Sequence, residues 1–427
     1  MSATAIQRQS TMATVLWASV LGTVVEWYDF LIYGTAAALI FNKLFFPTIS
    51  PAAGTIAAFA TYAVGFAARP LGGVVFGHFG DRLGRKTMLM LTMMIMGTGT
   101  FLIGCLPTYT QIGVAAPILL VILRFIQGFG LGGEWGGAVL MVVEHAPAGK
   151  RGLYGSLVQI GFPLGVAAST AIFIPVSALP MDAALSWGWR IPFLLSAILV
   201  AVGLFVRMRL SETPAFLQIR DTIAHRPMLE VVTRVPKTVL IAIGMKISEV
   251  AWVYVLTVFS IVYATTKLGL PRPLILDGII VGALLELVTL PLAGALSDRF
   301  GRKPIYLIGV ALSIASAFPI FWLLDTKDPA AVIAGLAIIM NLTHAIGFGI
   351  GASWMPELFG TRVRYTGASI GCQVSAAISG GFAPIIATAL LAWAGATWPV
   401  SLYLIALGLI AAVAVIAARE THTDGID

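Results

Sequence analysis

A decapeptide, Gly77-His78-Phe79-Gly80-Asp81-Arg82-Leu83-Gly84-Arg85-Lys86, recurs as Gly294-Ala295-Leu296-Ser297-Asp298-Arg299-Phe300-Gly301-Arg302-Lys303. Each copy joins two long apolar segments, and the copies are 217 residues apart (81 to 298), about half the chain. A basic, Gly-rich turn repeated at that spacing marks an internal duplication, so the two halves must fold alike. A second anchor repeats with it: Glu144 and Arg151 recur as Glu357 and Arg364, with the same interval inside each pair.

The apolar segments identify the solvent. With 59% hydrophobic and 11% charged residues and a mean hydropathy of +0.95, the chain has too few polar side chains to coat a water-soluble core. Stretches of about 20 residues or more, long enough to cross hydrocarbon as helix, run over 12–41, 53–77, 87–106, 113–143, 152–176, 188–209, 237–264, 273–296, 304–324, 330–356, 365–393 and 396–418. The expectation is an all-α membrane protein of twelve transmembrane helices in two pseudo-symmetric six-helix bundles. The first bundle covers 1–209, a polar cytoplasmic linker 210–236, and the second bundle 237–427 with a short tail.

The net charge of +7 follows the topology. Counting residues at span ends with the connections they adjoin, eighteen of the 26 Lys and Arg residues fall in the termini and one alternating set of connections, five in the opposite set and three deep inside spans. The positive-inside rule puts the rich set, with both termini, in the cytoplasm. Residues such as Arg8, Lys86, Arg207 and Lys303 then set orientation, and no nucleic-acid partner is expected. The first segment lacks a signal-peptide pattern, so it is expected to stay in the membrane. Cys105 and Cys372 stand alone without metal spacing, and the Gly-rich text has no Walker-type ending, so neither a cofactor, a metal nor a nucleotide is expected.

Ionisable residues inside spans cost a few kcal/mol each, about 2.5–3.5 on insertion scales, and are functional by default. Eight stand out: Glu26, Asp29, Arg69, Arg124, Glu134, Lys246, Glu249 and Glu286. Glu26, Asp29 and Tyr33 share one helical face, expected to line a central cavity, where adjacent carboxyls suit a proton carrier. Arg124, with Gln127 and Trp135 on nearly the same face, offers a planar fork for a substrate carboxylate, or else forms a structural pair with Glu26 or Asp29. Lys246 and Glu249, at i and i+3, serve either as a second cationic contact with its counter-ion or as a self-satisfied pair. Glu134 is a further proton candidate, or caps packed backbone. Arg69 is a secondary substrate candidate, with snorkelling toward the interface as its alternative. Gly128, Gly132 and Gly136, like Gly161 and Gly165, form smooth faces for close helix packing. His344 reads first as a packing histidine, and His78 as a solvated loop residue.

Several segments resemble the metabolite:proton symporter family of the major facilitator superfamily. They are the decapeptides, Glu26-Trp27-Tyr28-Asp29-Phe30, Arg124-Phe125-Ile126-Gln127-Gly128 leading to Gly132-Gly133-Glu134-Trp135-Gly136, Trp187-Gly188-Trp189-Arg190-Ile191-Pro192-Phe193, and Ser211-Glu212-Thr213-Pro214. Gly72–Lys86 and Leu268-Gly269-Leu270-Pro271-Arg272 are most similar to shikimate-type members. The resemblance implies a monomeric symporter of the bacterial inner membrane, with no enzymatic activity. It would import a small organic anion, shikimate-like or a dicarboxylate, with protons by alternating access. The alternative it leaves is a carrier of zwitterions such as proline or betaine, for which Trp27, Tyr28, Trp135 and Trp252 offer aromatic faces. A receptor that binds without transporting is the reading from another class. By the same resemblance Asp81, Arg82, Arg85, Asp298, Arg299 and Arg302, with the pairs Glu144–Arg151 and Glu357–Arg364, form gates that close in one state only.

Overall fold

The structure, a computed structural model, describes residues 12–177, 179–208, 227–361 and 363–423. The side chains of Asp81, Arg82 and Arg85, and the expected linker up to residue 226, lie outside the described residues. Among the described residues, eleven helical segments are long and apolar enough to cross a bilayer, and a bent pair makes a twelfth span. They are α1 (Met12–Ala36), α2 (Pro51–Leu83), α3 (Lys86–Cys105), α4 (Ala115–Val143), α5 (Arg151–Val176), α6 (Met181–Met208), α7 (Pro236–Thr266), α8 (Arg272–Phe300), α9 (Arg302–Ala315 with Pro319–Asp325), α10 (Pro329–Glu357), α11 (Arg364–Ala394) and α12 (Trp398–Ala417). Pro51, Pro236 and Pro329 open their helices, where a missing N–H costs nothing. α9 bends by 43° where the chain breaks before Pro319.

The decapeptides are largely helix. α2 and α8 run on through seven residues of each copy and stop only at Gly84 (φ 104°, ψ 149°) and Gly301 (φ 100°, ψ 152°), a matched conformation that favours glycine. His78 therefore sits in α2 rather than in a loop. Gly77 and Gly294, which open the two copies, lie where the other half crosses: Gly77 against Thr366 of α11, Gly294 against Gly152 and Ser156 of α5. The closing lysines match as well. Lys86 Nζ donates to Met208 O at the end of α6 (2.9 Å), and Lys303 Nζ to Ile416 O (2.6 Å) and Ala418 O (3.1 Å) at the end of α12. Each thereby satisfies orphan carbonyls at a helix C-terminus.

Packing repeats too. In the first half α1 lies on α5, α2 on α4 and α3 on α6; in the second, α7 lies on α11, α8 on α10 and α9 on α12. The halves meet through α2 on α11 and α5 on α8 and α10. Backbone reaches backbone at Gly128 on Gly65 and Gly132 on Arg69 and Gly73, joining α4 to α2, while Gly161 and Gly165 seat α5 on Thr23 and Trp27 of α1. Gly136 instead faces Ser369 and Tyr365 of the other half. The outer surface is apolar, with Ile118, Ile122 and Phe125 of α4 and Leu284 and Val288 of α8 exposed, and the polar side chains turn inward. Exposed Trp187, Trp322, Trp393 and Trp398 gather at the end opposite the decapeptide turns, as an interfacial belt would.

Candidate functional site

A small cavity of about 30 Å³ lies between the halves. The first half contributes Glu26 and Trp27 from α1, Arg69 from α2 and Trp135 from α4. The second contributes Lys246, Glu249 and Tyr254 from α7, His344 and Phe348 from α10, and Cys372 and Gln373 from α11. It has room for a water or two, far less than an organic metabolite needs. Toward the turn end it is backed by α2 on α11 and α5 on α8; away from it Phe30, Tyr62, Phe66 and Tyr254 pack edge to face.

The two cations at this cavity come from opposite halves. Lys246 Nζ donates to both oxygens of Glu249 (3.2 and 3.1 Å) and sits over the rings of Phe348 (4.9 Å) and Trp135 (5.3 Å). The Arg69 guanidinium lies over Phe30 (4.2 Å) and Phe66 (4.7 Å) and is only 5% exposed, so it does not snorkel. The indole N–H groups of Trp27 and Trp135 are buried without partners, donors that a ligand can use.

Arg124 is placed differently from the sequence expectation. It is fully buried inside the first half, over Tyr33 (4.1 Å), Phe30 (4.5 Å) and Tyr62 (4.9 Å), and donates from Nη1 to Gln127 Oε1 at 2.5 Å. Gln127 donates to Thr100 (2.6 Å), which donates to Asp29 (3.0 Å). The Tyr33 hydroxyl meets Thr61 at 2.5 Å. Of the three groups expected on one cavity face, only Glu26 lines the cavity; Asp29 and Tyr33 are absorbed into the first half's interior. Arg124, Gln127 and Tyr33 likewise stay off its lining. The reason is width: span 1 packs on both α2 and α5, so residues seven apart on one side meet different neighbours.

Two further partners escaped the sequence. Glu134 is met by Arg207 at 2.5 Å, so Arg207 is a buried counter-ion rather than a loop charge setting topology. His344 has acid partners after all: Nδ1 is 2.8 Å from Glu286 Oε1, and Nε2 is 3.8 Å from Glu249 Oε1. The duplication held the signal. Glu286 and His344 follow Arg69 and Gln127 at the decapeptide offset, so α2 on α4 becomes α8 on α10.

At the turn end, Asp298 accepts from the first free N–H groups of α5, Gly152 N and Leu153 N, both at 2.8 Å, and from Arg302 Nη1 at 2.7 Å. Arg302 also donates to Glu357 (3.2 and 3.1 Å), which accepts from Thr421 at 2.6 Å. The carboxylate thus bridges the halves by capping a helix, while its arginine belongs to its own half. Glu357 is held by Arg302, and Arg364 comes within 3.9 Å of Glu144 across the halves. Arg299 is exposed beside the Phe300 ring, outside this network. Arg151 opens α5 next to the capped amides and keeps contacts of its own.

A sequence model described as Major Facilitator Superfamily matches residues 19–380. The Shikimate transporter of Escherichia coli K12 is 45% identical over 95% of this chain and 94% of its own length. The Proline/betaine transporter of the same organism is 34% identical over 95% of this chain and 83% of its own. Among solved structures, the proton:xylose symporter XylE bound to 6-bromo-6-deoxy-D-glucose superimposes with a TM-score of 0.74 at 17% identity, covering 97% of each chain. That last likeness speaks for the fold.

Proposed function

Because this chain belongs to the major facilitator superfamily, we propose that it imports a small organic anion with protons by alternating access. One observation carries the substrate class: Arg69 and Lys246, from opposite halves, face one buried cavity beside unpaired indole donors. An entering carboxylate can take the place of Glu249 on Lys246 and draw the Arg69 fork from its aromatic seat. Glu26 and Glu249 compensate the cations when the carrier is empty. The similarity to a shikimate transporter along nearly the whole chain supports a hydroxylated acid as cargo. The zwitterion reading is weaker on geometry. Lys246 already occupies the faces of Trp135 and Phe348, Trp252 lies off the cavity lining, and the Tyr28 hydroxyl is spent on Pro192 O (2.9 Å).

In this reading residues 1–209 and 237–427 rock against each other, joined by 210–236, with both termini and the turn end in the cytoplasm of the bacterial inner membrane. The Asp298 cap on α5 is made when that end is closed and lost when it opens. By duplication Asp81, with Arg82 and Arg85, would serve α11 with Glu144 and Arg364. The test is uptake by proteoliposomes of shikimate, 2-oxoglutarate, citrate, a monocarboxylate and betaine under an imposed pH gradient. Accumulation of shikimate or a di- or tricarboxylate, driven by acid outside, is expected. Selective uptake of betaine, or anion uptake indifferent to the gradient, would overturn the proposal.

A further inference from the structure

Four titratable side chains from three helices of the second half form a row leading away from the cavity. Lys246 pairs with Glu249, Glu249 lies 3.8 Å from His344 Nε2, and His344 Nδ1 meets Glu286 at 2.8 Å. Lys246, Glu249 and His344 border the cavity, whereas Glu286 is fully buried behind them, with Oε2 lacking a partner.

Charge balance separates the halves. Leaving aside the turn-end network, the fully buried ionisable groups described in the first half's spans are Glu26, Asp29 and Glu134 against Arg69, Arg124 and Arg207. Three acids and three guanidiniums balance with no added proton. In the second half the buried Lys246 pairs with Glu249 while the equally buried Glu286 meets only His344, so one negative charge is left over that a proton on His344 or Glu286 can offset. A net charge in the membrane interior is costly, which makes this the place where a proton is taken up. The other neighbours offer little competition. Phe162 of α5 and Phe348 of α10 pack on the imidazole (4.7 and 4.6 Å), and the Tyr306 hydroxyl of α9 is spent on Met245 O (2.9 Å). Cys372 of α11, Glu26 of α1 and Arg69 of α2 face the same cavity.

We propose that Glu286 and His344 together hold the proton that travels with the substrate, with Glu249 and Lys246 linking the pair to the cavity. This rests on the proton-coupled reading above. An anion that takes Lys246 from Glu249 adds a further negative charge and leaves two acids facing His344, so the pair holds a proton more firmly than in the empty carrier. Anion and proton each favour the other's binding, as linkage demands. On release Lys246 returns to Glu249, the added negative charge is gone, and the pair holds its proton less firmly and gives it up to the cytoplasm, so one proton enters and one leaves per cycle.

The experiment compares wild type with Glu286→Gln, a neutral replacement for a residue that does not line the cavity. Substrate added to purified wild-type protein in weak buffer should take up protons, and proteoliposomes should concentrate substrate along an acid-outside gradient. Glu286→Gln should abolish both signals, bringing the accumulation ratio to about one, while exchange of labelled for unlabelled substrate persists within a few-fold. His344→Gln should remove substrate-induced proton uptake as well, and it decides the matter if Glu286→Gln does not fold. If the variants concentrate substrate as wild type does, or lose exchange together with accumulation, the assignment is wrong while the symport reading stands. A wild type that ignores the gradient overturns the symport reading itself.

Discussion

Phe30 carries a guanidinium on each of two contacts, Arg69 at 4.2 Å and Arg124 at 4.5 Å, yet the two arginines have different prospects. Arg69 borders the cavity, whereas Arg124 is enclosed by three rings and Gln127. Arg69→Lys keeps the charge and loses the fork, so calorimetry should show carboxylate binding weakened by about 1.5–3 kcal/mol, the worth of a hydrogen bond to a charged group. Arg124→Lys should leave affinity within about twofold and instead lower stability by about 1–3 kcal/mol, because Gln127 loses its buried donor. Thermal unfolding in detergent separates the two effects, and an affinity loss confined to Arg124→Lys would return the anchor to α4. The sequence did show that Lys246 and Glu249 meet, since i and i+3 on a helix are neighbours. It could not show which way Arg124 turns, because α2 packs on α4 so closely that the side chain has only the α1 side of the bundle to fill. Glu286 and His344 are remote in sequence, and only the helix pairing joins them.

Helix packing in this chain is set by glycine at the crossings. A Cβ at Gly128 would run into the backbone of Gly65, and one at Gly132 into the backbone of α2. Neither neighbour can yield as a flexible side chain does. Gly128→Ala should therefore cost about 2–3 kcal/mol, the upper range for overpacking. Gly351→Ala, inside α10 with nothing within 4 Å of its added Cβ, should be neutral or gain up to about 1 kcal/mol from helix propensity. Melting temperatures of the two purified variants give the comparison, and equal values would remove the packing argument. The spacing of Gly128, Gly132 and Gly136 was legible as a packing face, but one face proved to be two: Gly136 serves the other half. The same blindness made the decapeptides read as loops. Gly77 and Gly80 are there because α11 crosses them, with Thr366 and Tyr365 in the way of any Cβ, while only Gly84 turns the chain. The bend in α9 was also hidden, since apolar text on both sides of Pro319 reads as one span.

At the scale of the molecule, duplication was legible and the route between the halves was not, because contacts such as Asp298 on α5 join residues about 145 apart. In the proposed cycle that contact breaks when the turn end opens. A carboxylate on two helix-terminal N–H groups and Arg302 favours the closed arrangement through charge-assisted bonds; Asp298→Asn keeps the shape and loses the charge. A loss of about 1–2 kcal/mol corresponds to roughly a fivefold to thirtyfold shift in population toward the open turn end. Cys372 reports on this directly, for it is buried at the cavity, while Cys105 is exposed and can be replaced by serine. In a Cys105→Ser background, Asp298→Asn should speed modification of Cys372 by a water-soluble maleimide severalfold, and bound substrate should slow it again by refilling the cavity. Net uptake should fall, because a carrier resting open at one end returns less often to the other. If Cys372 reacts no faster in the variant while uptake still falls, the Asp298 cap supports the folding of α5 and does not govern which end is open.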